Sequence, residues 1–146
     1  MIDTLCRLLD AGVTQFHVVK ECEAMLQDHG YMELDMGERW ELTAGGRYYV
    51  KPYSSMMVAF AAGEMPEYGR LNIGLAHTDF PMLKIKTQPY MNRSGYQTLN
   101  VEPYGGLIKE TWFDRPLGIA GKVMAQTTDP FRPKTYLYDS ERAMCI

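Results

Sequence analysis

An α/β unit followed by a β-rich unit is the architecture this sequence predicts, and three observations carry it. A helical stretch opens the chain over residues 1 to 30. Two continuous apolar runs, Met56-Met57-Val58-Ala59-Phe60 and Leu71-Asn72-Ile73-Gly74-Leu75-Ala76, have the texture of strands buried on both faces of an α/β sheet. From about residue 84 the pattern turns to alternation, first in Met82-Leu83-Lys84-Ile85-Lys86 and again in Leu99-Asn100-Val101-Glu102, which suits strands with one wet face.

Within the opening stretch, Thr14 is placed to cap a helix whose apolar face carries Phe16, Val19, Cys22 and Leu26, and Gly30 stops it. From Tyr31 to Lys51 the text is short and punctuated. Glu38 to Leu42 and Tyr48 to Val50 flank Ala44-Gly45-Gly46-Arg47, which predicts a hairpin with a glycine turn. A loop holding Gly63, Pro66 and Gly69 separates the two apolar runs. Past the alternating strands, Gly105-Gly106, Pro116, Gly118, Gly121 and Asp129-Pro130-Phe131-Arg132-Pro133 break up the remainder.

At 146 residues the chain has the size of one ordinary domain, and 46% hydrophobic residues supply a core. The 15 Lys and Arg against 18 Asp and Glu give a net charge of −3 with no basic block, which argues against a nucleic-acid partner. Cys6, Cys22 and Cys145 are odd in number and form no CxxC pair. They suit neither a disulfide framework nor a zinc finger, and a reducing cytoplasm is the expected compartment. No basic, apolar leader opens the sequence and no window approaches the roughly 18 apolar residues of a membrane span, so neither export nor membrane insertion is expected.

The local feature with most chemistry in it is His77-Thr78-Asp79, directly after the second apolar run. Ligands in open α/β sheets gather beyond the carboxyl ends of strands. A histidine that binds a metal also needs its second ring nitrogen held, and a nearby carboxylate does that. By itself, though, an H-x-D triplet reads more readily as a loop histidine beside a surface aspartate. His17 beside the apolar helix face reads as structure, and His29 next to Gly30 as a cation at a helix C-terminus. No Gly-x-Ser-x-Gly elbow or local thiol signature offers a nucleophile, and the eleven methionines read as core filler. Trp112-Phe113-Asp114-Arg115-Pro116 reads as an aromatic anchor edged by charge, or as an interface.

The string Ala76-His77-Thr78-Asp79-Phe80-Pro81 leading into Met82-Leu83-Lys84-Ile85-Lys86 resembles the signature of the aspartyl aminopeptidase family. Leu99 to Ile108, Thr111 to Leu117 and Ile119 to Val123 are similar to a long block of the same family, and Thr14 to Val19 and Trp40 to Val50 to its opening. Phe80 departs from it, standing where the family usually has serine.

The resemblance implies the N-terminal part of a zinc-peptidase-like α/β proteolytic domain over residues 1–83, then part of a β-rich dimerisation domain over 84–146. It implies two zinc ions activating a water, with other divalent metals possible, and His77 as a metal ligand with Asp79 as its catalytic partner. Peptides with acidic or other N-terminal residues are the implied substrates, and a homo-oligomer built through the β-rich half the implied assembly. The family's remaining ligands and its general-base glutamate fall beyond residue 146, so the solitary chain is expected to hold no stable metal and turn nothing over. The alternative is a non-catalytic module that self-associates.

Overall fold

The computed structural model describes residues 2–64 and 71–140, with backbone alone at 144–145. Its contacts divide into two compact units, Met1–Thr78 with Ile119–Ser140, and Asp79–Gly118 with Glu141–Ile146.

In the first unit, helix α1 (Ile2–Ala11) ends at Gly12, whose N–H donates to the Leu8 carbonyl, where a β-carbon would stand 2.6 Å from that same oxygen. The predicted single helical stretch is therefore two helices. Thr14 caps the second, α2 (Gln15–Asp28), from an extended conformation, and its hydroxyl lies 2.7 Å from the His17 ring. Val19 and His17 are the buried positions of α2, and the His17 ring has the structural role its sequence position suggests. At the other end Gly30 takes φ +76° and the His29 ring pairs with the Met25 carbonyl, a helix-end arrangement as expected.

The sheet of this unit has the order β1-β2-β3, with β1 (Met32–Glu33) parallel to β2 (Arg47–Tyr53) and β2 antiparallel to β3 (Met56–Ala61). The core sits on β2, where Tyr48, Tyr49 and Val50 are buried in sequence. The hairpin is thus β2–β3, closed at Ser54-Ser55, and Glu38 to Leu42 is not its first strand. Trp40 instead folds its ring 6.1 Å from that of Phe60 and donates its indole N–H to the Asp35 carbonyl, a tertiary contact that no pairing rule foresees. The glycine turn does form: Gly45 at φ +74° and Gly46 bond to Ala62 beside the β2–β3 ladder.

Two expectations of burial fail. β3 carries only exposed and half-buried side chains, and Leu71 to Ala76 is not a strand, with Leu75 93% exposed. A continuous apolar run predicts burial only where another layer covers it and a neighbour pairs with it. Among the described residues no strand pairs with Leu71–Ala76. Pro66 and Gly69 of the preceding loop lie outside the described residues. The unit is completed by the hairpin of β7 (Ala120–Ala125) and β8 (Lys134–Asp139).

In the second unit, β4 (Met82–Arg93) and β5 (Tyr96–Tyr104) form a long antiparallel hairpin turned at Ser94-Gly95, both at positive φ. These strands extend the predicted alternating segments, and their register slips between Ile85 and Tyr90. A short 3-10 turn (Lys109–Trp112) precedes β6 (Pro116–Leu117), which pairs with β9 (Met144–Cys145). Trp112 is half-buried there, and Arg115 donates to the Thr111 carbonyl. No helix among the described residues is long and apolar enough to cross a membrane.

Candidate functional site

The turn that carries His77 is tied down by its neighbour. The Thr78 hydroxyl donates to the Ser55 carbonyl at 2.8 Å, fastening the turn to the bend between β2 and β3. The same bend receives Lys122 from β7, whose ammonium bonds the Ser54 hydroxyl at 2.8 Å and lies 4.8 Å from the centre of the Phe16 ring. His77 itself is exposed.

Asp79 opens the second unit and is half-buried. Its Oδ2 accepts a 2.6 Å hydrogen bond from the Tyr104 hydroxyl. Strand register explains the reach. Tyr104 is the last residue of β5 and stands opposite Met82, the first of β4, so its ring extends back toward the residues leading into β4. Gly105, at φ +71°, follows it, and a β-carbon built there would lie 3.5 Å from the Pro81 Cα. The hydrogen bond, and then the charge of the Asp79 carboxylate, push the Tyr104 phenol above its ordinary value. Sequence reasoning missed Tyr104. The signal was its position between Pro103 and the Gly105-Gly106 pair, in a block already singled out.

A zinc ion asks for about four nitrogen, sulfur or oxygen ligands. Among the described residues no group of three or more His, Cys, Asp or Glu could hold a metal ion. The donor chemistry of this stretch therefore fits one corner of such a centre, an exposed imidazole with a carboxylate two residues on, and not a whole centre. His17 and His29 are engaged with Thr14 and the Met25 carbonyl.

The molecule is thus a mixed α/β chain presenting one candidate metal-ligating histidine on an anchored turn. Residues 8–145 match the family described as Aminopeptidase I zinc metalloprotease (M18), and the chain belongs to that family. It is 45% identical over 117 residues to the "Probable M18 family aminopeptidase 2" of Stutzerimonas stutzeri, covering 79% of this chain and 27% of that protein. It is 38% identical over 134 residues to the protein of the same name from Clostridium acetobutylicum, covering 90% of this chain and 31% of that one. A chain of the cryo-electron microscopy structure of the Ape4 and Nbr1 complex superposes with a TM-score of 0.83 at 31% identity, over 97% of this chain and 27% of its own length. The Saccharomyces cerevisiae mApe1 dodecamer gives 0.75 at 25% identity, over 92% and 32%. The sequence therefore spans roughly a third or less of the length of the relatives it resembles.

Proposed function

We propose that this chain serves as the N-terminal portion of a metal-dependent aminopeptidase that removes N-terminal residues, acidic ones by preference, from peptides. Membership of the M18 family across residues 8–145 carries the reading. In it, His77 offers an imidazole to zinc, and Asp79, two residues on, holds that ring's orientation and raises its basicity. A zinc ion held in such a centre would act as a Lewis acid and bring a bound water's pKa toward neutrality. This chain's own part is positional. Thr78 anchors the turn, the exposed His77 meets the metal, and Tyr104 steadies Asp79.

Two zinc ions, a proteolytic domain over 1–83, a dimerisation domain over 84–146, a homo-oligomeric assembly and a cytoplasmic setting complete the proposal. The domain boundary rests on the change of texture near residue 84, and the compartment on the three unpaired-looking cysteines of the sequence. With one histidine at the site, residues 1–146 by themselves hold no stable metal and turn nothing over.

The test is peptide hydrolysis by the full native polypeptide that carries this sequence, before and after chelation. Release of N-terminal residues that is lost with chelator and restored by zinc is the expected result. Undiminished hydrolysis after complete metal removal would overturn the proposal. The second reading, a self-associating module without chemistry, draws on the exposure of Leu71, Ile73 and Leu75, an apolar row that association would cover. It predicts oligomers and no hydrolysis with any metal.

A further inference from the structure

We infer that Tyr104 is a positioning residue for Asp79, fixing that carboxylate so that it can support the histidine two residues before it. The inference rests on the role proposed above for Asp79 and adds the group that sets its geometry.

A carboxylate that orients a ligand must itself be held, because a free Asp side chain rotates among staggered conformers and spends only part of its time aimed correctly. Here one oxygen, Oδ2, accepts a 2.6 Å hydrogen bond from the Tyr104 hydroxyl, a length typical of a charge-assisted O–H to carboxylate bond. That contact ties Oδ2 to the tyrosine. It also selects one rotamer.

The tyrosine is in turn held from its backbone. The Met82–Tyr104 and Leu83–Pro103 pairs fix the register of the first turns of β4 and β5. Past the end of β5, Gly105 approaches Pro81 at positive φ, a conformation costly for any residue with a β-carbon. The strand ends therefore deliver the hydroxyl to Asp79 as rigid parts, and the ring, 40% exposed, is not needed as core. A tyrosine serving only packing would have no reason to direct its hydroxyl at this carboxylate.

The experiment uses the full native polypeptide carrying this sequence and compares Tyr104→Phe, Asp79→Asn and the double variant. Zinc affinity is measured by chelator competition, thermal stability by unfolding, and kcat and KM with one peptide. Tyr104→Phe keeps the ring and removes only the hydroxyl. The expected result is zinc affinity or kcat down by about 3- to 10-fold, below the roughly 10- to 100-fold of a direct outer partner, with Tm and KM unchanged. In the Asp79→Asn background the tyrosine change should cost nothing further.

An impaired Asp79→Asn beside a normal Tyr104→Phe would overturn the inference and leave the role of Asp79 standing. Additive losses would overturn it too, since Tyr104 would then act independently. A normal Asp79→Asn would sink the proposed role of Asp79 and the inference with it.

Discussion

Two stretches of the first unit have similar apolar content and opposite fates. Tyr48-Tyr49-Val50 is buried, and Tyr49 has no exposed surface at all. Leu71, Ile73 and Leu75 are 81%, 70% and 93% exposed. The first stretch lies on a central strand paired on both sides, with Tyr49 bonded to α2 and Tyr48 against Phe60, while the second pairs with no strand among the described residues. Burial is a property of the cover and not of the run. The polar side chains divide the same way. On β2 they are spent on one another: the Tyr49 hydroxyl accepts from Gln27 at 2.8 Å and donates to Glu23 at 3.2 Å, and Lys51 pairs with Glu23 and, at 3.1 Å, with Glu33. The second stretch leads to His77, which is exposed. Buried side chains are concentrated in the packed corner, and the histidine proposed above as a metal ligand follows the exposed stretch.

That separation is broken most directly at His77. In the full native polypeptide, His77→Ala is expected to remove metal at one site and to cost more activity than the roughly 10- to 100-fold lost with an outer partner, while Tm of the metal-free protein stays within about 1 °C of wild type. Zinc content by mass spectrometry and a metal-free melt check both halves. Normal zinc content would remove His77 from the site. Asp79→Asn comes next, within the 10- to 100-fold range itself, read as weakened zinc affinity. Normal affinity would reduce the H-x-D pair to a surface histidine and aspartate.

Much of this layout was legible because local rules decide it. Gly30 as stop and the glycine turn at Gly45 depend on positive-φ backbone that few residues supply, and Thr14 as cap on a short side chain with an acceptor oxygen. The strand from Met82 was found from alternation. What misled was cover. Leu71 to Ala76 looked like a buried strand because its composition suits one, yet whether a strand forms depends on a neighbour the window cannot contain. Trp40 failed for a related reason, its ring being claimed by Phe60 and its indole N–H by the Asp35 carbonyl. Tyr104 was missed because its partner, Asp79, lies 25 positions away and meets it only through strand register.

The packed corner supplies the converse test. Tyr49→Phe leaves Gln27 and Glu23 without their shared hydroxyl, a loss of about 1–3 kcal/mol in urea unfolding with zinc affinity unchanged. A fall in zinc affinity instead would join the two regions that the comparison separates. Alkali probes the same network. For Lys51, burial pulls the pKa down but the hydrogen bonds and charges of Glu23 and Glu33 outweigh it, and the net shift is upward. Burial raises the Tyr49 phenol, with the Gln27 hydrogen bond opposing and the two glutamates adding to the rise. Both groups hold their protons longer folded than unfolded, so their contribution is complete below the unfolded values of about 10 and is lost as pH rises through the higher folded ones. Melts should be flat to about pH 9 and fall beyond it, less steeply in Lys51→Met. An equally steep fall in that variant would place the alkaline transition elsewhere.

The smallest expected effect is a difference in thiol reactivity between two helices of one unit. Cys6 on α1 is exposed, whereas Cys22 on α2 is half-buried against the sheet side. Burial first, then the neighbouring charge of Glu21, push the Cys22 thiol up. Alkylation proceeds through the thiolate, so Cys22 is slowed both by access and by the smaller fraction of reactive species. Under native conditions near neutral pH, iodoacetamide should label Cys6 about tenfold faster than Cys22, read by peptide mass spectrometry, and the ratio should approach one in denaturant. Tyr49→Phe, by loosening the contact of α2 with β2, should narrow the native ratio before any global unfolding. Equal native rates in the unaltered protein would mean that α2 opens as readily as α1, and the packed corner would then end at β2 without including the helix that covers it.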